Sequence, residues 1–261
     1  MRHHDEAIER YVARSRGRED VLGVLLTGSL ATRSERADSD VDLVVVVPDA
    51  SWRSAVAAER IMFVDHDDVG YEGGYFDVKL ATLGQLEAAG ERADDPARHS
   101  LGTARVVYDQ GFDLAATVAR IGAAVAGERE DRVASYVAQA RLHGEYFLEH
   151  GLSHDDPFLA AHAAAHLGLA AGRALLSHAG ALYPGPKDLV AALRGLPNPG
   201  PAFAAAVSAT ARRPSAETAR ALLGLVEAHL GSALAEASTL SRFVLDNELA
   251  WFTGTTPPEH R

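Results

Sequence analysis

The chain has no cysteine in its 261 residues. Disulfides, thiolate zinc sites and cysteine nucleophiles are thereby excluded. It also lacks an apolar run approaching the roughly 20 residues that a bilayer-spanning helix needs. The longest strand-like run, Leu43 to Val47, is far shorter. The opening Met1-Arg2-His3-His4-Asp5-Glu6 is polar, unlike the apolar region of a secretory signal. The expected location is therefore the cytoplasm, with no membrane partner. No basic stripe stands out and the formal charge is −11, so a grip on nucleic-acid phosphates is not expected. Acidity of this kind suits a cationic small substrate, and equally serves solubility. The Walker phosphate-loop pattern and internal repeats are absent too.

What is present is ordinary globular material, 47% hydrophobic and 23% charged, long enough for two compact domains. A first helix is expected over His3 to Arg16, from Ile8, Tyr11 and Val12 at helical spacing, with Gly17 ending it. Continuous aliphatic runs predict buried strands at Val21–Leu26 and Val41–Val47. Alternation after Gly73-Gly74 predicts another at Tyr75–Ala81, and a last short one lies at Ala104–Tyr108. Ser51–Arg60 reads as helix, and Thr82 caps a further helix to about Ala89. From Phe112 onward strand-like runs vanish. Helices are expected near 112–126, 129–150, 156–180, 187–194 and 216–249, the last broken around Gly231-Ser232. Pro184, Pro186, Pro197, Pro199, Pro201 and Pro214 punctuate the loops between them. The expected architecture is an α/β (α+β) domain with a small mixed sheet over residues 1–111. An all-α bundle follows over 112–252, and then a flexible tail over 253–261.

The stretch that carries chemistry is Leu26-Thr27-Gly28-Ser29-Leu30-Ala31, continuing through Arg33 to Ser39-Asp40-Val41-Asp42-Leu43. Asp40 and Asp42 are two residues apart at a strand start, so both side chains leave one face, with Cα atoms about 6.6 Å apart. Two carboxylates beside a buried aliphatic run are costly unless something positive sits between them. Hard divalent cations, which take oxygen ligands, are the natural solution. Gly28-Ser29 lies between a strand and a helix start, where free N–H groups favour phosphate and the Ser29 hydroxyl adds a donor. Asp77, a charge in the otherwise apolar strand Tyr75–Leu80, is a candidate third ligand or a general base. A salt bridge with Lys79 is its alternative role.

Gly-Ser, an interval, Ser-Asp-x-Asp-Leu on a strand and a later strand Asp together resemble the nucleotidyltransferase superfamily that includes DNA polymerase beta. The resemblance covers residues 20–80. It implies Gly28 and Ser29, with the neighbouring Ser39, on the nucleotide triphosphate. It also implies Asp40, Asp42 and Asp77 on two Mg²⁺ ions. Many members carry Gly where Arg33 stands. The helical second half is similar to small-molecule members such as aminoglycoside nucleotidyltransferases, and the loop Leu182–Lys187 resembles one that presents a lysine to the nucleotide. The implied reaction moves a nucleoside monophosphate, AMP from ATP, onto a hydroxyl of a small acceptor such as an aminoglycoside, releasing pyrophosphate. Nucleotidylation of a protein partner and a non-catalytic nucleotide-binding module are the alternatives.

Other residues are candidates on chemistry alone. Glu145 could serve as base, or face solvent. Asp155-Asp156 could receive ammonium groups. His162 and His166 stand four apart on one helix face but lack the metalloprotease glutamate, which favours packing or an interface. Arg173 on the same helix is undecided. Trp52, Trp251 and Phe252 are expected in core or edge packing.

Overall fold

The computed structural model describes residues 1–123 and 128–260, and the chain divides into two units. Met1–Ala93 with Ala97–Ala124 form the first; Asp94–Pro96 with Val125–Arg261 form the second.

The first unit is built on the aliphatic runs. Helix α1 (Arg2–Ser15) is followed by β1 (Gly23–Leu26), the short α2 (Gly28–Thr32), β2 (Val41–Val46), α3 (Asp49–Ala57), β3 (Met62–Asp65) and β4 (Phe76–Ala81). Then come α4 (Leu83–Arg92), α5 (Asp95–Gly102), β5 (Arg105–Asp109) and α6 (Leu114–Ala123). The strands make one mixed five-stranded sheet in the order β3-β4-β2-β1-β5. Only β2 and β4 run parallel. Period-two alternation sorts their side chains between two faces. Val41, Leu43, Val45, Phe76 and Val78 pack with Ala7, Ile8, Tyr11 and Val12 of α1. Leu25, Val44 and Val46 pack on the other face with Leu86 of α4 and with Leu114 and Val118 of α6. At Thr82 the expected cap is a full capping box with Gln85.

Three features differ from the sequence expectation. The edge strand β3 was not anticipated, because Met62 and Val64 are each 52% exposed and a strand half in water carries little hydrophobic signal. Helix α5, short and polar, was missed for the same reason. Helix α6, assigned by sequence to the bundle, packs on α4 in the sheet unit, because its Leu114 and Val118 complete the second sheet face. The last residues of the expected 112–126 helix lie outside the described ones.

In the second unit, α7 (Arg129–Arg141) runs through a π-helical segment, Leu142–Phe147, into α8 (Leu148–Ser153). The long α9 (Pro157–His178), α10 (Leu189–Gly195), α11 (Gly200–Arg212), α12 (Ala216–Leu230), α13 (Thr239–Asp246) and α14 (Ala250–Thr253) complete the bundle. Helix α9 is central, in contact with α7, α8, α10, α11 and α12. By length and composition it is the one helix among the described residues apolar enough to cross a membrane, in contrast to the expectation that the chain lacks such a run. Two-thirds of that window is buried inside the bundle.

Helix α11 was expected as a proline-broken loop. Pro201 instead sits in its first turn, where the missing N–H costs nothing. The tail was expected to fray. Pro258 is buried and its carbonyl accepts a 2.7 Å hydrogen bond from Arg173. Trp251 and Phe252, expected in packing, are 80% and 75% exposed.

Buried charge in this unit is paired, as burial demands. The Asp95 carboxylate accepts from Arg132. Arg141 forks onto Glu227 at 2.7 and 2.8 Å, joining α7 to α12.

Candidate active site

Register brings the acidic residues together. Leu26, the end of β1, pairs with Leu43, and the Thr27 N–H donates to the Asp42 carbonyl at 2.9 Å. The turn that follows β1 is therefore held against Asp42. On the other side of β2 the parallel ladder pairs Asp42 with Asp77. Both share parity with Val44 and Val46, so both leave the sheet on the α4–α6 face, beyond where its apolar cover ends. Asp40, just ahead of β2, joins them. One carboxylate oxygen from each of Asp40, Asp42 and Asp77 lies within 4.8 Å of the others, and all three side chains are half-buried.

Gly28 is where that packing becomes strict. Its φ is +64°, and a Cβ there would fall on the Asp42 carboxylate, 2.7 Å from Cγ. Glycine meets both demands. The close approach expected between this glycine and a phosphate is thus also an approach to a carboxylate. Ser29 follows in the first turn of α2, where N–H groups have no intrahelical acceptors and the N-cap Thr27 supplies no side-chain cap. Arg33, where the resembling family often has Gly, ends α2 in the left-handed region at φ 58°, ψ 37°. This is the helix-ending position that glycine favours, so Arg33 is strained there.

The approach to Asp40 is braced by α1. The Ser39 carbonyl accepts from His4 Nε2 at 3.1 Å and from the Tyr71 hydroxyl at 2.8 Å. The Ser39 hydroxyl accepts from the Arg36 N–H at 2.9 Å, so it closes the turn that delivers Asp40. Val41 N–H donates to the Tyr75 carbonyl at 3.0 Å, extending the ladder one residue before β4. Interaction with the Asp40 carboxylate, polar first and then through its charge, holds the Tyr75 pKa above the usual phenol range. Burial, then Asp40, raises that of Tyr71. Neither tyrosine was named from sequence. Tyr75 was findable, since it stands two residues before Asp77 and shares its face. Tyr71 was not, because its place depends on a loop.

The donor set fits a hard divalent cation: all ligand atoms are carboxylate oxygens. Among the described residues Asp77 Oδ1 is buried without a hydrogen-bond partner, and Oδ2 makes a 3.8 Å contact with the half-exposed Lys79. A surface ion pair that long is weak, so Lys79 does not account for Asp77.

Lys187 and Glu145 are both exposed and belong to the second unit. Asp156 caps α9 by accepting from Leu159 N–H at 3.0 Å, a structural role. His162 and His166 line a cavity of the second unit together with His143, a residue that carries no sequence signal of its own.

No protein-family model matches the chain, and no curated protein does. Among solved structures it is similar to a nucleotidyltransferase-like protein from Exiguobacterium sibiricum 255-15, at 14% identity and a TM-score of 0.44, over 94% of this chain and 80% of that one.

Proposed function

We propose that the protein is a Mg²⁺-dependent nucleotidyltransferase, moving AMP from ATP to a hydroxyl of a small acceptor. One observation carries this reading: three carboxylates from separate points of the chain gather within 4.8 Å of one another, beside a glycine turn packed on one of them. Asp40, Asp42 and Asp77 would hold the metal, and bound magnesium supplies charge neutralisation on phosphate oxygens.

The remaining work falls to the chain's own groups. First-turn N–H groups at Gly28 and Ser29 hold the triphosphate tail, supported by their lack of intrahelical acceptors. The acceptor oxygen bonds to the α-phosphorus as the α–β bridging P–O bond breaks, and pyrophosphate leaves with that electron pair. The acceptor's proton passes to Asp77, a role supported by its unpartnered Oδ1. Positioning and charge account for most of the rate in such transfers.

The formal charge of −11 suits a cationic acceptor, and an aminoglycoside is the class we favour. Purified protein incubated with Mg²⁺, α-labelled ATP and a panel of aminoglycosides is expected to give a labelled adduct and pyrophosphate. Label on no drug of the panel sinks the aminoglycoside acceptor. Label transfer that survives Asp42→Ala sinks the site.

A further inference from the structure

Sheet register carries the acidic site on to an edge that the chemistry above leaves unused. Val64 of β3 stands opposite Asp77 in the antiparallel ladder, and Asp77 stands opposite Asp42 in the parallel one. Residues paired across a ladder share a face of the sheet. One row of that face therefore runs Val64, Asp77, Asp42. Thr27 closes its far end, where its N–H donates to the Asp42 carbonyl at 2.9 Å. Two residues along, a second row runs Met62, Lys79, Val44, Leu25.

The two ends of the first row differ in chemistry. At the β1 end, Gly28 packs on the Asp42 carboxylate and its turn presents N–H groups to phosphate. At the β3 end, Val64 and its neighbour on the strand face, Met62, are each 52% exposed. The apolar cover of this face takes in Leu25, Val44 and Val46 and leaves both β3 side chains in water. Single exposed apolar side chains are ordinary. Here two of them, on alternate residues of one strand, continue the rows that hold Asp77 and Lys79. The flank of Asp77 is already held by a cation, Lys79 at 3.8 Å, so the strip beside it suits an uncharged group.

The direction of the reaction selects what lies on the strip. In phosphoryl transfer the attacking and leaving oxygens stand roughly in line through phosphorus. Pyrophosphate departing toward the Gly28-Ser29 turn leaves the Asp77 end for the incoming hydroxyl, and Asp77 is there to take its proton. One strand spacing further, about 4.8 Å, is Val64. A ring that carries the reacting hydroxyl over Asp77 thus lies across β3, and burying its apolar face there removes both side chains from water.

We propose that Met62 and Val64 form the floor of the acceptor subsite, and that the acceptor carries an uncharged, apolar ring face beside its reacting hydroxyl. Any ammonium groups then belong on parts of the acceptor away from this floor. The proposal rests on the nucleotidyltransferase reading and narrows its acceptor.

The chain has two methionines, Met1 and Met62, so methyl-¹³C-methionine labelling gives the floor its own NMR signal, which Met62→Leu assigns. Phenyl β-D-glucoside, which joins hydroxyls to a flat apolar ring, is titrated into the full chain. Methyl β-D-glucoside and kanamycin serve as comparators without that ring. The phenyl compound is expected to shift the Met62 methyl upfield saturably, with a midpoint of about 1 mM, and to leave Met1 unmoved. Both comparators should bind at least about fivefold more weakly, and Val64→Ser should weaken the phenyl compound by a similar factor. Should that variant fail to fold by circular dichroism, Val64→Thr keeps the β-branch and reads the same contact. The Met62 shift should persist in Asp42→Ala, and also beside Mg²⁺ and α,β-methylene-ATP, which occupy the other end of the row. The proposal is overturned by no Met62 shift up to about 10 mM, by equal affinity for either comparator, or by unchanged affinity in folded Val64 variants. A Met62 shift caused by the ATP analogue, in competition with the glucoside, also overturns it by making the strip a seat for the base. Loss of nucleotide binding and transfer with the Met62 shift intact strikes the nucleotidyltransferase reading instead, and the acceptor role falls with it.

Discussion

Asp77→Asn isolates the electrostatics of the acidic triad, because it keeps the shape of the side chain and removes one charge. Unit charges 4.8 Å apart, the upper separation within the triad, repel by about 0.9 kcal/mol at the dielectric of water and about 3.5 kcal/mol at an effective value of 20. The site is half-buried, so the lower figure is the safer guide, and two pairs make about 2 kcal/mol. Lys79, 3.8 Å from Asp77 and half-exposed, returns at most about 1 kcal/mol. Without divalent ions the variant is therefore expected to be about 1 kcal/mol more stable than the unaltered chain. Magnesium at ten times its dissociation constant should stabilise the unaltered chain by about 1.4 kcal/mol, and the variant by little. The order of stability inverts on adding the ion. Urea denaturation with MgCl₂, against NaCl of equal ionic strength, reads both states. A variant no more stable than its parent in NaCl, and still responsive to Mg²⁺, would falsify the account of the triad.

Gly28→Ala forces a side chain into φ +64° and onto the Asp42 carboxylate. A loss of about 1–2 kcal/mol in urea is expected from the left-handed backbone, with the Mg²⁺-dependent stabilisation abolished; a retained response would show that Asp42 tolerates displacement. Arg33→Gly relieves the left-handed strain at the end of α2 and should stabilise the chain by up to about 1 kcal/mol, read from the same denaturation curves. His143 has a folded-state pKa of about 3 against an ordinary 6.5, so the unfolded chain binds its proton first as pH falls. Its contribution is intact above pH 6.5 and is lost progressively toward pH 3, by about 2 kcal/mol at pH 5. A chain with His143→Gln should lose correspondingly less stability between pH 7.5 and 5, and identical pH profiles would refute the assignment.

Much of the first unit was legible in the residues because its signals are local. Aliphatic runs marked β1 and β2, alternation marked β4, and the Thr82 cap was readable from its hydroxyl ahead of a helical pattern. The two-residue spacing of Asp40 and Asp42 sets their common face before any partner strand is known, since the pleat repeats every second residue. The glycine-serine bend is local in the same sense. Two elements half in water, β3 and α5, gave no such signal. The strand β3 escaped notice, and α11 was hidden by a proline that begins a helix as readily as it breaks one.

The tertiary structure decided what depends on distant segments meeting. Asp77 could be proposed for its oddity in an apolar strand, but only the parallel register of β2 on β4 sets it beside Asp42. Tyr71 reaches the Ser39 carbonyl, and α6 covers the sheet, through contacts far apart in sequence. His143 gave no sign of itself. A π turn in one helix and a four-residue repeat in another had to face each other before three imidazoles shared a cavity. Periodicity is a property of each segment alone, whereas register and helix pairing are chosen by which combination buries the most apolar surface without stranding a polar group.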